Sequence, residues 1–94
     1  MTYRLKFTKI SDKEWHKLNP TIKTQFQKKL KKRLKSPIVA KDKLSGYKNI
    51  YKIKLRSSGF RLAYEVKDKE IVILVLSVGK RENNDVYDNL EDRV

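Results

Sequence analysis

A hairpin pattern in residues 51–64, YKIKLRSSGFRLAY, constrains the fold more than any other feature of the sequence. Apolar residues occupy every second position of YKIKL, and Lys52 and Lys54 lie between them, as expected for a strand with one buried face. The small residues at 57–59 predict a turn, after which the alternation resumes in FRLAYE. On that second strand Arg61 can face the same way as the two lysines, so one sheet face would carry three cations.

This predicted face has no acidic residue to offset its charge, because none occurs between positions 43 and 64. The whole chain shows the same imbalance, with 24 Lys and Arg against 11 Asp and Glu and a net charge of +13 in 94 residues. Such an excess favours a polyanionic partner. Nucleic acid is the first expectation, and an acidic protein that binds to neutralise the charge is the second.

The remaining pattern predicts a single α+β domain over residues 1–94, with a small antiparallel β-sheet packed against two N-terminal helices and a short C-terminal helix or tail. Residues 2–8 alternate between polar and apolar side chains and predict the first strand. Residues 70–78, EIVILVLSV, are apolar on both alternations, which is typical of a central strand covered on both faces. Asp68 and Lys69 would form the turn before it.

Two helices are predicted between the first strand and the hairpin. Ser11 and Glu14 have the spacing of a capping box, so a short helix should begin at Ser11. Pro20 suits the first turn of a second helix over residues 20–35. The apolar stripe of this second helix, which would lie across the sheet, comprises Ile22, Phe26, Leu30 and Leu34.

The charged residues on the other faces of the second helix are all basic, since no acidic residue occurs within residues 20–35. A solvated face with extended lysine side chains is one interpretation. Repulsion among these like charges favours a second interpretation, in which the helix face contacts a phosphate backbone or an acidic partner. The candidate residues for such contacts on this helix are Lys23, Lys28, Lys29, Lys31, Lys32, Arg33 and Lys35.

Residue types also argue against several classes of protein. The chain has no cysteine and one histidine, so a zinc site would have too few ligands, and we expect neither a metal nor a cofactor. The opening MTYRLKFTKI is an alternating basic pattern rather than a signal peptide, and no run approaches the length of a membrane span. We therefore expect a bacterial cytoplasmic protein without a membrane partner.

The familiar residue sets of hydrolases are not recognisable in the sequence. His16 stands alone, and Ser57 and Ser58 have no predicted base and acid beside them. The remaining candidates are cations near strand ends and one tyrosine in the tail, which the predicted topology can bring together: Lys52, Lys54, Arg61, Arg81 and Tyr87.

Such a cluster of cations can serve RNA chemistry. A lysine among other cations has its ammonium form disfavoured, which lowers its pKa toward the range that a general base needs. Arginine side chains match phosphate oxygens and can stabilise the added negative charge of a pentacoordinate phosphorane. One interpretation of these residue types is RNA cleavage in which the RNA's own 2′-hydroxyl, which DNA lacks, attacks the adjacent phosphate. A basic nucleic-acid-binding face without catalysis explains the same residues.

Two segments, YKIKLRSSGFRLAYEV and LSVGKRENNDVY, closely resemble the RelE toxins of bacterial type II toxin–antitoxin modules. The likeness extends to the opening LKFTKISDKEWHKL, the lysine-rich second helix and the loop SPIVAKDKLSGY, and so covers almost the whole chain. It implies a small antiparallel sheet packed against N-terminal helices. It also implies a ribosome-dependent endonuclease that cleaves messenger RNA in the ribosomal A site.

The resemblance further implies which residues act. The RelE functional positions are lysines of the YKIKLR strand, the arginine after SSG and an aromatic residue, the arginine of GKRE and a C-terminal tyrosine, here Lys52, Lys54, Arg61, Arg81 and Tyr87. Lys54, assisted by Lys52, would then deprotonate the 2′-hydroxyl, and Lys52 and Arg61 would bind the scissile phosphate. Arg81 would neutralise the leaving 5′-oxygen, and Tyr87 would stack on and orient a base.

The implied partners follow from the same family. A RelB-like antitoxin would wrap the basic surface, the 70S ribosome would supply the A site with mRNA and ribosomal RNA, and operator DNA would be bound only indirectly through the antitoxin. Ser45 departs from relatives that have a basic side chain in this loop, which removes one expected RNA contact. The alternatives are a ParE-like toxin, which shares the architecture but acts on DNA gyrase, and a noncatalytic RNA- or ribosome-binding module.

Overall fold

The secondary structure follows the alternation and the apolar stripe of the sequence closely. The computed structural model describes residues 2–80, so the predicted C-terminal helix or tail lies outside the described residues. The elements occur in the order β1 (Arg4–Phe7), α1 (Lys9–His16), α2 (Pro20–Lys35), a 3₁₀ turn (Ala40–Asp42), β2 (Ile50–Leu55), β3 (Phe60–Lys67) and β4 (Val72–Lys80).

The strands form one mixed sheet in the order β1, β4, β3, β2. The last three strands of the described residues, β2, β3 and β4, form an antiparallel meander, as predicted. β1 pairs with β4 in parallel, because the chain crosses back over the sheet through the helices before the meander begins. The predicted antiparallel arrangement therefore holds for the meander, whereas the complete sheet is mixed.

One face of the sheet, which we call the core face, packs against the helices. Ile22, Phe26 and Leu30 of α2 are buried there, as the predicted stripe requires. Burial of an apolar side chain of this size stabilises a fold by roughly 1.5–3 kcal/mol. The strands contribute Tyr51, Ile53, Leu55, Leu62, Tyr64, Val66, Ile73, Val75 and Val78 to this core.

The start of α1 differs from the prediction, because the capping box joins Thr8 and Ser11 rather than Ser11 and Glu14. The Ser11 amide donates to the Thr8 hydroxyl (3.0 Å), and the Thr8 amide donates to the Ser11 hydroxyl (2.9 Å). The buried Ser11 hydroxyl also donates to the Val75 carbonyl at 2.7 Å. Since the β1 pairing ends at Val75, α1 supplies the next contacts to β4, and the Glu14 carboxylate accepts from the Val78 amide (3.3 Å).

The bounds of α2 agree with the prediction. Asn19 is the N-cap, and its side chain accepts from the Ile22 amide at 2.9 Å. Pro20 occupies the first helical position, where its missing amide hydrogen is not needed. Neither this helix nor α1, the α-helices of the described chain, is long and apolar enough to span a membrane.

The turn between β3 and β4 is longer than predicted. The Glu70 amide donates to the Lys67 carbonyl and the Ile71 amide donates to the Asp68 carbonyl, each at 3.2 Å. Ile71 has a φ of 54°, a left-handed conformation that cannot continue a strand. β4 therefore begins at Val72 rather than at Glu70.

The second face of the sheet, which we call the open face, is covered at one end by the loop before β2. Ile50, Ala63 and Leu76 are buried there, with Leu44 and Tyr47 packed against them. Along this stretch β4 is covered on both faces, as its doubly apolar sequence predicts. Three of the predicted cations, Lys52, Lys54 and Arg61, lie on the same face toward its other end.

Candidate active site

Lys52, Lys54 and Arg61 share the open face, as the alternation predicts. In the register of β2 with β3, Lys54 lies directly opposite Arg61, and Lys52 lies opposite Ala63. Residues in such positions have Cβ atoms roughly 4.5–5.5 Å apart, so two like charges meet here. The β4 partner of Arg61 is Gly79, which has no side chain to occupy the adjacent surface.

The turn between β2 and β3 stabilises this register. The Gly59 amide donates to the Leu55 carbonyl at 2.9 Å. Gly59 has a φ of 77°, which favours glycine because a side chain would be strained in this conformation. Lys54 and Arg61 are thereby placed opposite each other although their charges repel, and the buried side chains of Ile53 and Leu55 on the core face offset that repulsion.

The electrostatic environment lowers the pKa of the Lys54 ammonium below its ordinary value. Charge repulsion from Lys52 is the largest cause, followed by hydrogen bonding with the Lys52 side chain, desolvation, and the charges of Arg61 and Arg56. A lower pKa raises the fraction of neutral amine, which is the form that accepts a proton. This direction is the one expected from the sequence for a lysine among cations.

Lys54 borders three depressions of the surface. The first, of about 300 Å³, lies between Lys54 and Arg61 beside the turn. The second, of about 350 Å³, extends past Lys52 to Asp42 of the 3₁₀ turn. The third, of about 600 Å³, extends toward α2. The Lys54 amine can therefore be approached from the open face and from the side of the helix.

The third depression, which we call the α2 groove, joins the helix to the end of β2. Apart from Lys54, it is lined by Gln25, Lys28, Lys29, Lys32, Leu55, Arg56 and Ser57. Lys31 and Lys35 lie beside it, around a neighbouring depression that Lys28 and Lys32 also border. Lys23 lies nearer the start of α2, outside the groove. The structure thus brings most of the predicted helix lysines into one cationic surface with Lys54.

Comparison with known proteins of similar sequence and fold identifies the family of this chain. The family model for the ParE toxin of the type II toxin–antitoxin system, parDE, matches residues 5–85. A putative RelE-like toxin protein of Escherichia coli is 50% identical over 94 residues, which is 100% of this chain and 99% of the relative. The chain belongs to the RelE/ParE family of type II toxins.

Further members of the RelE/ParE family agree with this assignment. The mRNA interferase toxin RelE of Escherichia coli strain K12 is 48% identical over 100% of this chain and 99% of its own length. The structure of a free Escherichia coli RelE double mutant has a TM-score of 0.92 and 47% identity over 100% of this chain and 99% of that chain. The intact Escherichia coli RelBE toxin–antitoxin complex has a TM-score of 0.81 and 50% identity over 83% of this chain and 95% of that chain. The predicted family and α+β fold are confirmed.

The structure separates Arg33 from the other helix cations that the sequence groups together. Its guanidinium forms an ion pair with Asp42 and donates to the Tyr64 hydroxyl at 2.9 Å. The Arg33 side chain is 16% exposed, whereas Lys28, Lys29 and the lysines that follow them on the outer helix surface are exposed. The Arg33 guanidinium therefore binds other residues of the same chain rather than facing the solvent.

Two predicted site residues, Arg81 and Tyr87, lie outside the described residues 2–80. Arg81 directly follows Lys80, the last residue of β4, which pairs with Phe60 at the start of β3. The Lys80 ammonium lies 5.6 Å from the centroid of the Phe60 ring. The part of the site that the structure describes is thus the half that β2 and β3 provide.

Sequence reasoning missed Arg56. This residue borders all three depressions around Lys54, and its charge contributes to the lowered pKa of Lys54. The signal was present, because Lys52, Lys54 and Arg56 continue one alternation along YKIKLR. The predicted strand ends at Leu55, as β2 does, so the strand alternation did not include Arg56.

Proposed function

We propose that this toxin is an endoribonuclease that cleaves mRNA on the ribosome and thereby inhibits translation. The observation that carries the proposal is the direct opposition of Lys54 and Arg61 beside Lys52, with the pKa of Lys54 lowered. Full-length identity of 48% to relatives named mRNA interferase RelE supports it.

Lys54 is the general base of the proposed reaction. Its neutral amine takes the proton of the RNA 2′-hydroxyl while the 2′-oxygen forms a bond to the adjacent phosphorus. The bond from phosphorus to the 5′-oxygen then breaks, which leaves a 2′,3′-cyclic phosphate and a 5′-oxygen that takes a proton from water. Because the RNA supplies the nucleophile, the protein has to supply a base, orientation and positive charge.

Lys52 and Arg61 bind the scissile phosphate in this proposal. The guanidinium of Arg61 offers a planar pair of donors that matches two phosphate oxygens, and Lys52 adds a second positive charge on the same face. Both stabilise the phosphorane more than the ground state, since its negative charge is greater. The roles of Arg81 at the leaving 5′-oxygen and of Tyr87 in base stacking come from the family resemblance.

The α2 groove is the proposed surface for RNA backbone outside the reacting nucleotide. Its exposed lysines can neutralise phosphates without reading bases, which suits a partner of fixed shape such as ribosomal RNA. Binding in the A site of the 70S ribosome would present a codon of the mRNA to the open face and supply the orientation that raises the rate. The proposed RNA- or ribosome-binding residues are Lys23, Lys28, Lys29, Lys31, Lys32 and Lys35.

A RelB-like antitoxin is the proposed protein partner. A relative with 50% identity has been solved as an intact RelBE toxin–antitoxin complex. The net charge of +13 favours an acidic partner that covers the cationic surface. Operator DNA would be bound through the antitoxin rather than through the toxin.

Primer extension on mRNA tests the function directly. Purified toxin is incubated with mRNA in the presence and absence of programmed ribosomes, and Lys54→Ala is compared with Lys69→Ala. Lys69 is an exposed lysine of the turn between β3 and β4 and provides a matched loss of charge away from the site. We expect cuts within the A-site codon that require ribosomes, persist in Lys69→Ala and disappear in Lys54→Ala.

Ribosome binding without any cut would contradict the nuclease and support a noncatalytic binding module. Inhibition of gyrase supercoiling by the same preparation would instead support a ParE-like toxin. Cuts of equal strength in Lys54→Ala would support the nuclease activity but show that Lys54 is not its general base.

A further inference from the structure

A cluster around Arg33 connects four elements beside the proposed active site. Arg33 of α2 pairs with Asp42 of the 3₁₀ turn, donates to the Tyr64 hydroxyl of β3 at 2.9 Å and donates to the Lys52 carbonyl of β2 at 3.4 Å. The Tyr64 hydroxyl in turn donates to the Pro37 carbonyl at 2.8 Å. We call Arg33, Asp42 and Tyr64 the Arg33 cluster.

The Arg33 cluster is directed into the protein. The Arg33 and Asp42 side chains are 16% and 20% exposed, and Tyr64 is fully buried. The Tyr64 ring stacks on Tyr51 of β2, with ring centroids 5.8 Å apart. Burial raises the pKa of Tyr64 although the nearby Arg33 charge opposes this, so its hydroxyl remains protonated and keeps its hydrogen bond to the chain after α2.

These contacts lie on the outer side of the edge strand. β2 has β3 on one side. On its other side the Ile50 carbonyl accepts from the Leu44 amide at 2.9 Å, and the Lys52 carbonyl accepts from Arg33. Outward backbone groups occur at every second residue of a strand, so the next outward position is Lys54. Contacts from the loop and from Arg33 therefore hold the outer edge of β2 as far as Lys52, which neighbours Lys54 on the open face.

We propose that Arg33 is a positioning residue, which through the Arg33 cluster holds β2 at Lys52 and so sets the distance from Lys52 to Lys54. The inference rests on the proposed function for its effect on catalysis. It gives Arg33 a role different from that of the helix lysines. A guanidinium is suited to this role, because its planar set of donors can serve a carboxylate, a hydroxyl and a carbonyl at once.

The inference connects geometry to the state of Lys54. Repulsion from Lys52 is the largest cause of the lowered pKa of Lys54, so movement of Lys52 away from it raises that pKa. Replacing Arg33 and Asp42 together removes one charge of each sign and leaves the net charge around Lys54 unchanged. The charged groups around Lys54 are Lys52 and Arg56 at β2, Arg61 on β3, Lys28, Lys29, Lys32 and Arg33 on α2, and Lys41 and Asp42 on the 3₁₀ turn.

The test is the double variant Arg33→Gln with Asp42→Asn. Single-turnover cleavage of mRNA on programmed ribosomes is measured across pH and salt, and the pKa of Lys54 is measured by NMR titration of its side chain. We expect the cleavage rate at saturating ribosomes to fall by about ten- to a hundredfold, because small displacements of reacting groups have effects of this order. The rising limb of the pH profile and the NMR pKa of Lys54 should both move to higher pH, with unchanged affinity and salt dependence of binding.

Lys29→Gln is the matched control on the same helix. Because Lys29 lines the α2 groove, this variant should weaken ribosome binding and reduce its salt dependence while the pKa of Lys54 stays the same. If the double variant behaves like Lys29→Gln, Arg33 is a phosphate ligand and the inference is wrong. A lower rate with an unchanged pKa of Lys54 would also overturn it, since a general loss of stability explains that result.

A second variant keeps the test available if the double variant does not fold. Arg33→Lys preserves the charge beside Asp42 but cannot contact Tyr64 and Lys52 at the same time, so it should produce a smaller shift of the Lys54 pKa in the same direction. An unshifted pKa would overturn the inference. If the wild-type toxin itself cuts no mRNA, the proposed function fails, whereas the NMR titration still decides whether Arg33 positions Lys52.

Discussion

The two faces of β2 show how opposite demands are met by one short strand. On the core face Ile53 is 1% exposed and packs under α2, where burial lowers the free energy of the fold. On the open face Lys52 and Lys54 lie beside Arg61, where like charges raise it. The difference shows that the stability of the strand comes from one face, so the other face can hold cations at distances that change their chemistry.

The largest effect should follow from removing the proposed base on the open face. We expect Lys54→Ala to lower the rate of cleavage by about 10²–10⁴-fold, the usual contribution of general acid–base catalysis. Its thermal unfolding temperature should stay the same or rise, because one repelling charge is lost. Single-turnover kinetics and thermal unfolding of the same preparation check both expectations. A large fall in the unfolding temperature would contradict the claim that the stability of β2 comes from its core face.

A change on the core face should have the opposite profile. Ile53→Ala leaves a cavity beneath α2 and should lower the free energy of unfolding by about 2–5 kcal/mol, measured by urea denaturation. At low temperature, where the variant is still folded, it should retain most of its cleavage rate. A loss of activity as large as that of Lys54→Ala under these conditions would mean that the core face takes part in the chemistry.

A smaller effect is expected from the charge that acts on Lys54. Lys52→Ala removes the largest cause of the lowered pKa, so the pKa of Lys54 should rise toward its ordinary value. Since the neutral amine is the active form, the rising limb of the pH profile should move to higher pH. Activity should therefore recover in part in more alkaline buffer, which measurement of the cleavage rate across pH can show. A profile that only decreases in height would indicate that Lys52 acts as a phosphate ligand alone.

The smallest effect should come from single lysines of the α2 groove. Lys32→Ala removes one proposed phosphate contact and should reduce the slope of log affinity against log salt by roughly 1, with little change in the rate at saturation. Lys69→Ala removes the same charge from a distant turn and serves as the control. Equal slopes for both variants would show that only the total charge matters, and not the position of the groove.

Local patterns in the sequence were sufficient for the elements that carry the core face. The stripe of α2 and the alternation in β2 and β3 repeat within a few residues, so the period alone identifies the buried side. The start of α1 was predicted wrongly for the opposite reason. Ser11 and Glu14 form hydrogen bonds with the backbone of β4, each 64 residues away along the chain, and no local pattern contains those partners.

The candidate site shows the same division. The residue types and alternation of YKIKLRSSGFR, together with the family resemblance, were enough to name Lys52, Lys54 and Arg61 and to place them on one face. The role of Arg33 could not be separated from that of the helix lysines, because its partners come from three other elements. Arg56 was missed because it lies one residue beyond the predicted end of the strand, which the structure also places at Leu55.

By itself, the sequence determined which side chains are cationic, which face of each element is apolar and how the meander is connected, because these properties depend on residue type and on periods of two and 3.6 residues. The tertiary structure decided that β1 pairs in parallel with β4, that Lys54 lies opposite Arg61 and that Arg33 contacts β2. It also decided which neighbouring charges lower the pKa of Lys54, with Lys52 first among them. These features depend on distances between groups that the folded chain alone brings together, and electrostatic interactions vary steeply with such distances.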